Sequence, residues 1–470
     1  MKLSHAGLSA PVVFDEPNLM SLGGLVPVVK LAQDAGLRDL AGKYLSVPRD
    51  RGANAGLKVM SLVAGMVAGA DSIDDMAVLR HGGMRRMFES VYAPSTLGSF
   101  LREFRFGHVR QLDAVASRFL AALAREAPII TGPGGSSGYR FLDVDDTIVE
   151  VHGSKQGSGY GYSGVRGLNA LIATVSTTHT APVIVAQRLR KGAANSARGA
   201  ARIVADALAT LKRLPVDVAR TAPTTPAAPA VRTLLRADSA FYGRPGIAAA
   251  IKGGAHISVT VRMDPRIKAA ITMIAADAWT TIEYTDAVFD ETTGRWVSRA
   301  EVAEIPFTAF ASKSKAEQIP GRLVVRRIPD LNPNKGSGQP TLFDTWRFHA
   351  FFTTSDLDTV AADKTHRQHA IIEQVHADLK NSALAHLPSA AMCANAAWLV
   401  LAVMAFNLTR TAAVISGPKL AKATTGTIRR KLIHLPARIA RSGRRLKLHL
   451  PTGWPWQPAF TQLDLHLRGT

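Results

Sequence analysis

Between residues 139 and 254 the chain passes through three short β-rich stretches with no helix between them, YRFLDVDDTIVEVH, LNALIATVST and PVIVAQRLR. Runs rich in Val, Ile and aromatic residues, bounded by turn residues, read as strands. A helix follows at about 194–214 (ANSARGAARIVADALATLKRL), then the linker TAPTTPAAPA, a fourth strand VRTLLRAD, the turn SAFYG and a second helix RPGIAAAIKGG. The order β-β-β-α-β-α predicts an open mixed sheet covered by helices.

The first of these strands carries acid where a core strand should carry none. In FLDVDDTIVEV a period of two puts Asp143, Asp145 and Thr147 on one face and Asp146 on the other. Carboxylates in the middle of an apolar strand must be solvated, paired or metal-bound. A sheet-edge strand with solvated aspartates is the plain alternative. Asp238 ends the fourth strand, and in the predicted topology that strand lies beside the first. Neighbouring strands run about 4.8 Å apart, so carboxylates at matched heights can share two metal ions roughly 4 Å from each other. Oxygen-only donors select Mg²⁺ or Mn²⁺ over zinc.

A third acid stands in THRQHAIIEQVHADLKN, residues 365–381. Read as one continuous helix, this stretch projects His366, His369, Glu373 and Lys380 into a common arc of about 60° and Ile372, Val375 and Leu379 into another. Such a helix packs its apolar face on a core and offers an acid among cations on the other, which suits a metal ion beside a phosphate. An exposed helix using Glu and Lys for solubility has the same pattern.

Charge points to a polyanionic partner. Lys and Arg number 57 against 36 for Asp and Glu, a formal charge of +21, as expected of a nucleic-acid binder. From Asn381 to Leu463 there is no acid, while Arg410, Lys419, Lys422, Arg429, Arg430, Lys431, Arg438, Arg441, Arg444, Arg445 and Lys447 fall within it. This reads as a phosphate-tracking tail whose cations release counterions on DNA. Cys393 is the single cysteine, which rules out an intrachain disulfide, fits a reducing cytoplasm and reads as a small core residue. The N-terminal residues have no apolar signal region. AAMCANAAWLVLAVMAF (390–406) is short for a bilayer span and holds Asn395, so it reads as a buried core helix. No membrane partner is expected.

Residues 14–127 show helical periodicity and TGPGGSSG closes them. Within them Ser95 or Thr96 is a candidate N-cap, and Arg102, Arg105 and Arg110 line the following helix or helix pair, open to DNA. Residues 255–355 form a further β-rich block that reads as an insertion, with NPNKGSGQP as a surface loop. Trp279, Trp296 and Trp346 within it are candidates for stacking on an extruded base, with core packing the plainer use. The resulting division is a helical DNA-binding region (1–135), a catalytic region (139–254 and 356–416), a β-rich insertion (255–355) and a basic C-terminal region (417–470).

The strand order is that of an RNase H-like fold, and the motifs within it carry a resemblance. LDVDDT, the run GYGYSGVRGLNAL, RADSAFYG, and the Glu373 helix followed by CANAAWLVLAVMAFNLTR are similar to bacterial insertion-sequence transposases of the DDE type, in particular the insertion-sequence thirteen-eighty branch. The resemblance covers nearly the whole chain. It implies binding of double-stranded transposon ends and target DNA, metal-dependent cleavage and strand transfer with Mg²⁺ (Mn²⁺ substituting), at least a homodimer in the synaptic complex, and a place on the bacterial nucleoid. It assigns Asp145, Asp238 and Glu373 as metal-binding catalytic acids. Asp145 is preferred over Asp143 because the family has Asp-x-Thr, matched by Asp145-Asp146-Thr147.

The family's third acid lies in Tyr-x2-Arg-x3-Glu-x6-Lys, where this chain has His366, His369, Glu373 and Lys380. Glu and Lys carry over. Tyr and Arg are replaced by His, so the phosphate contacts fall to Lys380, His369 and Arg367, the last reaching around the helix. Two other readings compete. A zinc hydrolase would use His366, His369 and Glu373, but zinc-protease helices space their His at i and i+4 and would leave the acidic strand unexplained. A DNA-binding protein without catalysis would leave three acids facing phosphate with no cation between.

Overall fold

Among the described residues the apolar repeat of the first 130 positions becomes five helices of eight residues or more, α1 (Leu25–Asp34), α2 (Leu37–Tyr44), α3 (Ala55–Ala68), α4 (Pro94–Arg102) and α5 (Phe106–Glu126), with shorter turns between α3 and α4. A two-residue strand, β1 (Leu19–Met20), precedes them. In α5 the buried residues Leu112, Val115, Ala116, Phe119, Leu120 and Leu123 recur at three and four, a single stripe facing the core. α4 opens on Pro94 after Ala93, so neither Ser95 nor Thr96 is its cap. Proline at the first helical position has no N–H to satisfy and its φ is already helical. This computed structural model describes residues 12–48, 52–88, 90–130, 138–215, 231–290, 295–329, 346–443 and 445–469, with the side chains of 283–290, 295–299 and 329 outside the description. The linkers at 131–137 and 221–230 and the loop NPNKGSGQP lie outside the described residues.

The strands follow as expected: β2 (Tyr139–Glu150), β3 (Gly159–Tyr160), β4 (Arg166–Ser176), β5 (Val183–Lys191), helix α6 (Ala200–Leu211), β6 (Arg232–Ala237), α7 (Arg244–Lys252) and β7 (Ala255–Thr260). β2 pairs antiparallel with β4 and parallel with β6, and β6 pairs parallel with β7. The acidic strand β2 is therefore central, not an edge. Because it is hydrogen-bonded on both sides, its aspartates have to find partners above and below the sheet.

The insertion does not begin at 255. HISVTVRMD supplies β7, in register with β6 at Leu235↔Ile257 and Ala237↔Val259. After α8 (Pro265–Thr272), the β-rich block forms β8 (Thr280–Asp290), β9 (Arg295–Ala309), β10 (Ile319–Pro329) and β11 (Trp346–Thr353), and β11 pairs with β7. The result is one ten-stranded sheet. A strand signal names no partner, and the open edge of β7 is a ready template for the next strand in space.

Three further helices complete the site region and core: α9 (Thr359–Arg367), α10 (Ile371–Lys380) and α11 (Met392–Ile415). α11 has the length and apolarity of a membrane span, but 94% of its most apolar window is buried inside the protein. It packs on α3, α5 and β5. Cys393, at its start, is half-buried and not enclosed in the core, because it falls in the first turn at the rim. Near its far end the buried Asn407 meets a defect in the sheet. β4 and β5 slip register between Ala173 and Thr174, which leaves Val185 as the extra residue. Asn407 Oδ1 accepts from the Ile184 amide at 2.9 Å and its Nδ2 donates to the Ile184 carbonyl at 2.8 Å. Replacing Asn407 by Leu strands both backbone groups away from water, and an equilibrium urea titration is expected to show a loss of roughly 2–4 kcal/mol.

The basic C-terminal region is not a tail. Its strands β12 (Ala437–Ser442) and β13 (Arg445–His449) form a hairpin, β1 pairs with β12, and α12 (Gln457–Arg468) packs on α1 and α11. At Gly24, leading into α1, any Cβ would collide with the Leu432 carbonyl, so the close approach of the two ends requires glycine.

Candidate active site

The parallel ladder between β2 and β6 runs Asp143↔Arg236 and Val144↔Ala237. Asp145 and Asp238 are the next residues along each strand, Asp238 just past the end of β6, and the charge of Asp238 acts on Asp145. Asp238 is then the cap of a short turn, its carboxylate accepting from the Ala240 amide at 3.0 Å. Burial pushes the Asp145 carboxyl up to about 7, and the charges of Asp238 and Asp146 add to the shift, against the Asp146 amide and His369. Asp238 is raised in the same way, by burial first and by Asp146 after it. Each carboxyl is harder to ionise beside other acids, a condition that a cation between them relieves.

Asp143 is used up elsewhere. It is fully buried, and both oxygens accept from Arg236, from Nε at 2.7 Å and from Nη2 at 2.7 Å. The His369 ring lies against it at 3.1 Å. Burial alone would raise its carboxyl, but Arg236 and His369 hold it below the ordinary value. Arg236 also donates through Nη1 to the Thr365 carbonyl at 2.6 Å, tying the end of α9 to the sheet. On the opposite face Asp146 is paired with Arg190 at 3.1 Å and with Asn169. Arg236 escaped the sequence reading. The signal was present in LLRAD, where a residue two before Asp238 shares its face and the parallel register sets it opposite Asp143.

The helix expected at 365–381 is broken. α9 ends at Arg367, a 3₁₀ turn covers Gln368–Ala370, and α10 starts at Ile371. A 3₁₀ turn winds about 120° per residue, which moves the residues after it round by roughly 60° together, so the separate roles of these side chains come from their partners and not from the turn. His366 lies against the sheet, its Nδ1 2.9 Å from the Ser258 hydroxyl, its Nε2 3.0 Å from the Thr260 hydroxyl and its ring stacked on Phe351. Burial, helped by neighbouring cations, lowers its pKa to about 3, so it is neutral. His366 and His369 point to different partners, which removes the basis of a shared zinc site.

The other helix residues divide as follows. Glu373 is exposed on α10. Lys380 is half-buried at the helix end, and burial lowers its pKa. Arg367 pairs with Asp363 at 2.8 Å, one turn back on α9. His376 was missed. It stands between the apolar arc and the acid side of α10, its Nδ1 3.7 Å from Asp145, and burial lowers it to about 4. Its Nε2 is buried without a hydrogen-bond partner.

Among the described residues no three His, Cys, Asp or Glu side chains are grouped closely enough to hold a metal ion. The chemistry of the donors nonetheless fits an oxygen-preferring divalent cation: two carboxyls raised by burial and by other acids, one of them beside a neutral imidazole. Glu373 contributes to the same negative field, since Asp145, Asp146, Asp238 and Glu373 all act on the Tyr162 hydroxyl.

The basic surface is narrower than the sequence implies. Arg410 is buried and donates to the carbonyls of Ala421 and Ala423, and Arg429 donates to the Val67 carbonyl. Arg110 joins Asp113 on α5 to Asp206 on α6, so it locks helices together and is not open to DNA. In the β12–β13 hairpin, Arg438, Arg445, Lys447 and His449 are exposed on one face. The Arg327 guanidinium lies over the rings of both Trp279 and Trp346, at 4.1 and 4.4 Å, while the Trp296 side chain lies outside the described residues.

A solved piggyBac transposase synaptic complex with hairpin DNA aligns over 86% of this chain and 79% of that chain, at 11% identity and a TM-score of 0.42, too distant to carry an argument about the site. No curated protein matches the chain. The family described as transposase DDE domain group 1 matches residues 6–469, the helical region, the acid-bearing sheet and the folded C-terminal region together. By that match across nearly its whole length, the chain belongs to the DDE transposase domain family.

Proposed function

We propose that this family member is an active DNA transposase with an RNase H-like catalytic core, which binds the inverted-repeat ends of its own element, cuts them and joins them to target DNA. The succession of Asp145 and Asp238 directly after the paired residues Val144 and Ala237, with the charge of Asp238 acting on Asp145, carries this reading. The order β5-β4-β2-β6-β7 supports the RNase H-like assignment, and the motifs LDVDDT, GYGYSGVRGLNAL and RADSAFYG support an origin in the insertion-sequence thirteen-eighty branch.

Asp145, Asp238 and Glu373 would hold Mg²⁺ or Mn²⁺, which when bound supplies Lewis acidity toward a phosphate oxygen. Asp145 must release its proton to become a ligand, and a carboxyl near 7 does so at neutral pH. Asp143, clamped by Arg236, fixes β2, β6 and the end of α9 relative to one another, and Glu373 follows in the first turn of α10. Lys380 contributes positive charge toward the strand being cut and His369 a ring nitrogen for hydrogen bonding, and Arg367 follows only if it leaves Asp363. The β12–β13 hairpin grips backbone phosphates independently of sequence. Two element ends must be held together, which requires at least a homodimer.

The test is cleavage, in Mg²⁺ or Mn²⁺, of DNA carrying the gene's own flanking sequences. Cutting at the element ends by the parent, with Asp238→Asn and Glu373→Gln each reduced by about a thousandfold or more, is the expected result. Cleavage insensitive to chelation, or unaffected by both substitutions, would refute the assignment.

A further inference from the structure

The segment between β2 and β4 is a short hairpin of unusual make-up. Its base is anchored: Lys155 donates to the Leu387 carbonyl at 2.7 Å, the Gln156 amide donates to the Ala390 carbonyl at 2.8 Å, and the Gln156 side chain accepts from the Met392 amide at 3.1 Å. Its tip is a closed turn, in which the Gly161 amide donates to the Val165 carbonyl and the Gly164 amide to the Gly161 carbonyl, both at 3.1 Å, with Gly164 at φ +71°. A Cβ on Gly161 would lie 2.6 Å from the Ile148 side chain. The hairpin therefore rests on the Ile148 side chain of β2, on the face that Ile148 shares with Asp146, and only glycine allows it to lie so low.

From this anchored loop Tyr160 and Tyr162 project with 71% and 77% of their surface exposed. Two large rings left in water, Tyr162 within the field of the acids, serve no packing purpose in the free protein. Tyr160 is paired in the ladder with the exposed Arg166, and Lys191 is exposed on neighbouring β5. The Tyr162 hydroxyl, like any phenol, is a proton donor at neutral pH, and it feels the charges of Asp145, Asp146, Asp238 and Glu373. A rigid loop with two aromatic faces, a hydroxyl donor and nearby cations has the chemistry for an unpaired nucleic-acid strand, where every base offers a face to stack on.

We propose that this hairpin is an aromatic shelf for the DNA strand at the acid site, Tyr162 donating its hydroxyl to a backbone phosphate beside the one being cut and Tyr160 stacking on a flanking unpaired base. The assignment rests on the DNA-cutting function proposed above. Full-length protein is to be photocrosslinked to element-end DNA carrying 5-iodouracil on either side of the cut, with the modified peptide mapped. In parallel, Tyr160→Ala, Tyr162→Ala and Tyr162→Phe are to be compared for end binding, single-turnover cleavage and Mn²⁺ binding by calorimetry.

Crosslinks to the peptide containing Tyr160 and Tyr162 are expected. Each Ala variant should lose about 10- to 100-fold in binding or cleavage, with Mn²⁺ binding unchanged and a smaller loss for Tyr162→Phe. DNA that is cut normally by the variants, or that crosslinks elsewhere, overturns the shelf alone. DNA that the parent neither binds nor cuts overturns both the shelf and the function it rests on.

Discussion

Asp145→Asn is expected to reduce metal-dependent end cleavage by about a thousandfold or more while making the metal-free protein more stable at pH 8. The first effect is loss of a charged oxygen donor from the acid pair. The second follows from the direction of its shift. The Asp145 carboxyl ionises near 3.8 in an open chain and at about 7 in the fold. Below about pH 4 it is protonated in both states and costs nothing. As the pH rises toward 7 the unfolded chain ionises first, so the cost to the folded state grows, and above 7 it is complete. Taken whole, such a shift is worth roughly 4 kcal/mol. The Asp145 side chain is 22% exposed and interacts with Asp238, so solvent screening reduces the expected gain from Asn to about 2 kcal/mol. Thermal and urea unfolding at pH 5 and pH 8, with and without Mn²⁺, checks both parts. Mn²⁺ should stabilise the parent and not the variant, with the parent's affinity falling as the pH drops below 7. A variant that cuts DNA like the parent, or that loses stability at pH 8, would show Asp145 to be a structural residue.

Asp143→Ala is expected to act in the opposite sense on stability. It leaves the Arg236 guanidinium charged in a site with 1% exposure, and breaking one half of a buried pair costs about 3–5 kcal/mol. Removing both halves with apolar side chains, Asp143→Leu with Arg236→Met, should restore most of that loss, because the desolvation of two charges is avoided at the same time. The measurement is a double-mutant cycle in urea. If Asp143→Ala keeps the parent's stability and loses only cleavage, then Asp143 and not Asp145 is the first acid.

These two neighbours show how far the strand pattern reaches. A period of two in FLDVDDTIVEV places Asp143 and Asp145 on one face, and the β2–β6 pairing follows from the order of strands and helices. Nothing in that pattern says which aspartate has a guanidinium opposite it. That depends on register, and a slip of two residues between β2 and β6 would set Asp145 in place of Asp143 opposite Arg236. The helix at 365–381 failed for a related reason. Periodicity assumes one continuous winding, whereas the pull of Ser258, Thr260 and Phe351 on His366 sets that residue against the sheet, and a 3₁₀ turn separates it from the Glu373 helix.

The sequence by itself determined the order of strands and helices from 139 to 254, the burial of the long apolar helix and the grouping of acid on one strand, since each depends on composition and spacing within a single segment. Tertiary structure alone decided that residues 255–355 extend the same sheet, that the basic C-terminus folds onto the first helices, and which charges are sequestered in pairs and which remain open at the end of β6. Those outcomes turn on contacts between segments far apart in the chain, 93 residues for Asp143 and Arg236 and several times that for β1 and β12, where the cost of burying an unpaired charge or leaving a strand edge open selects the partner.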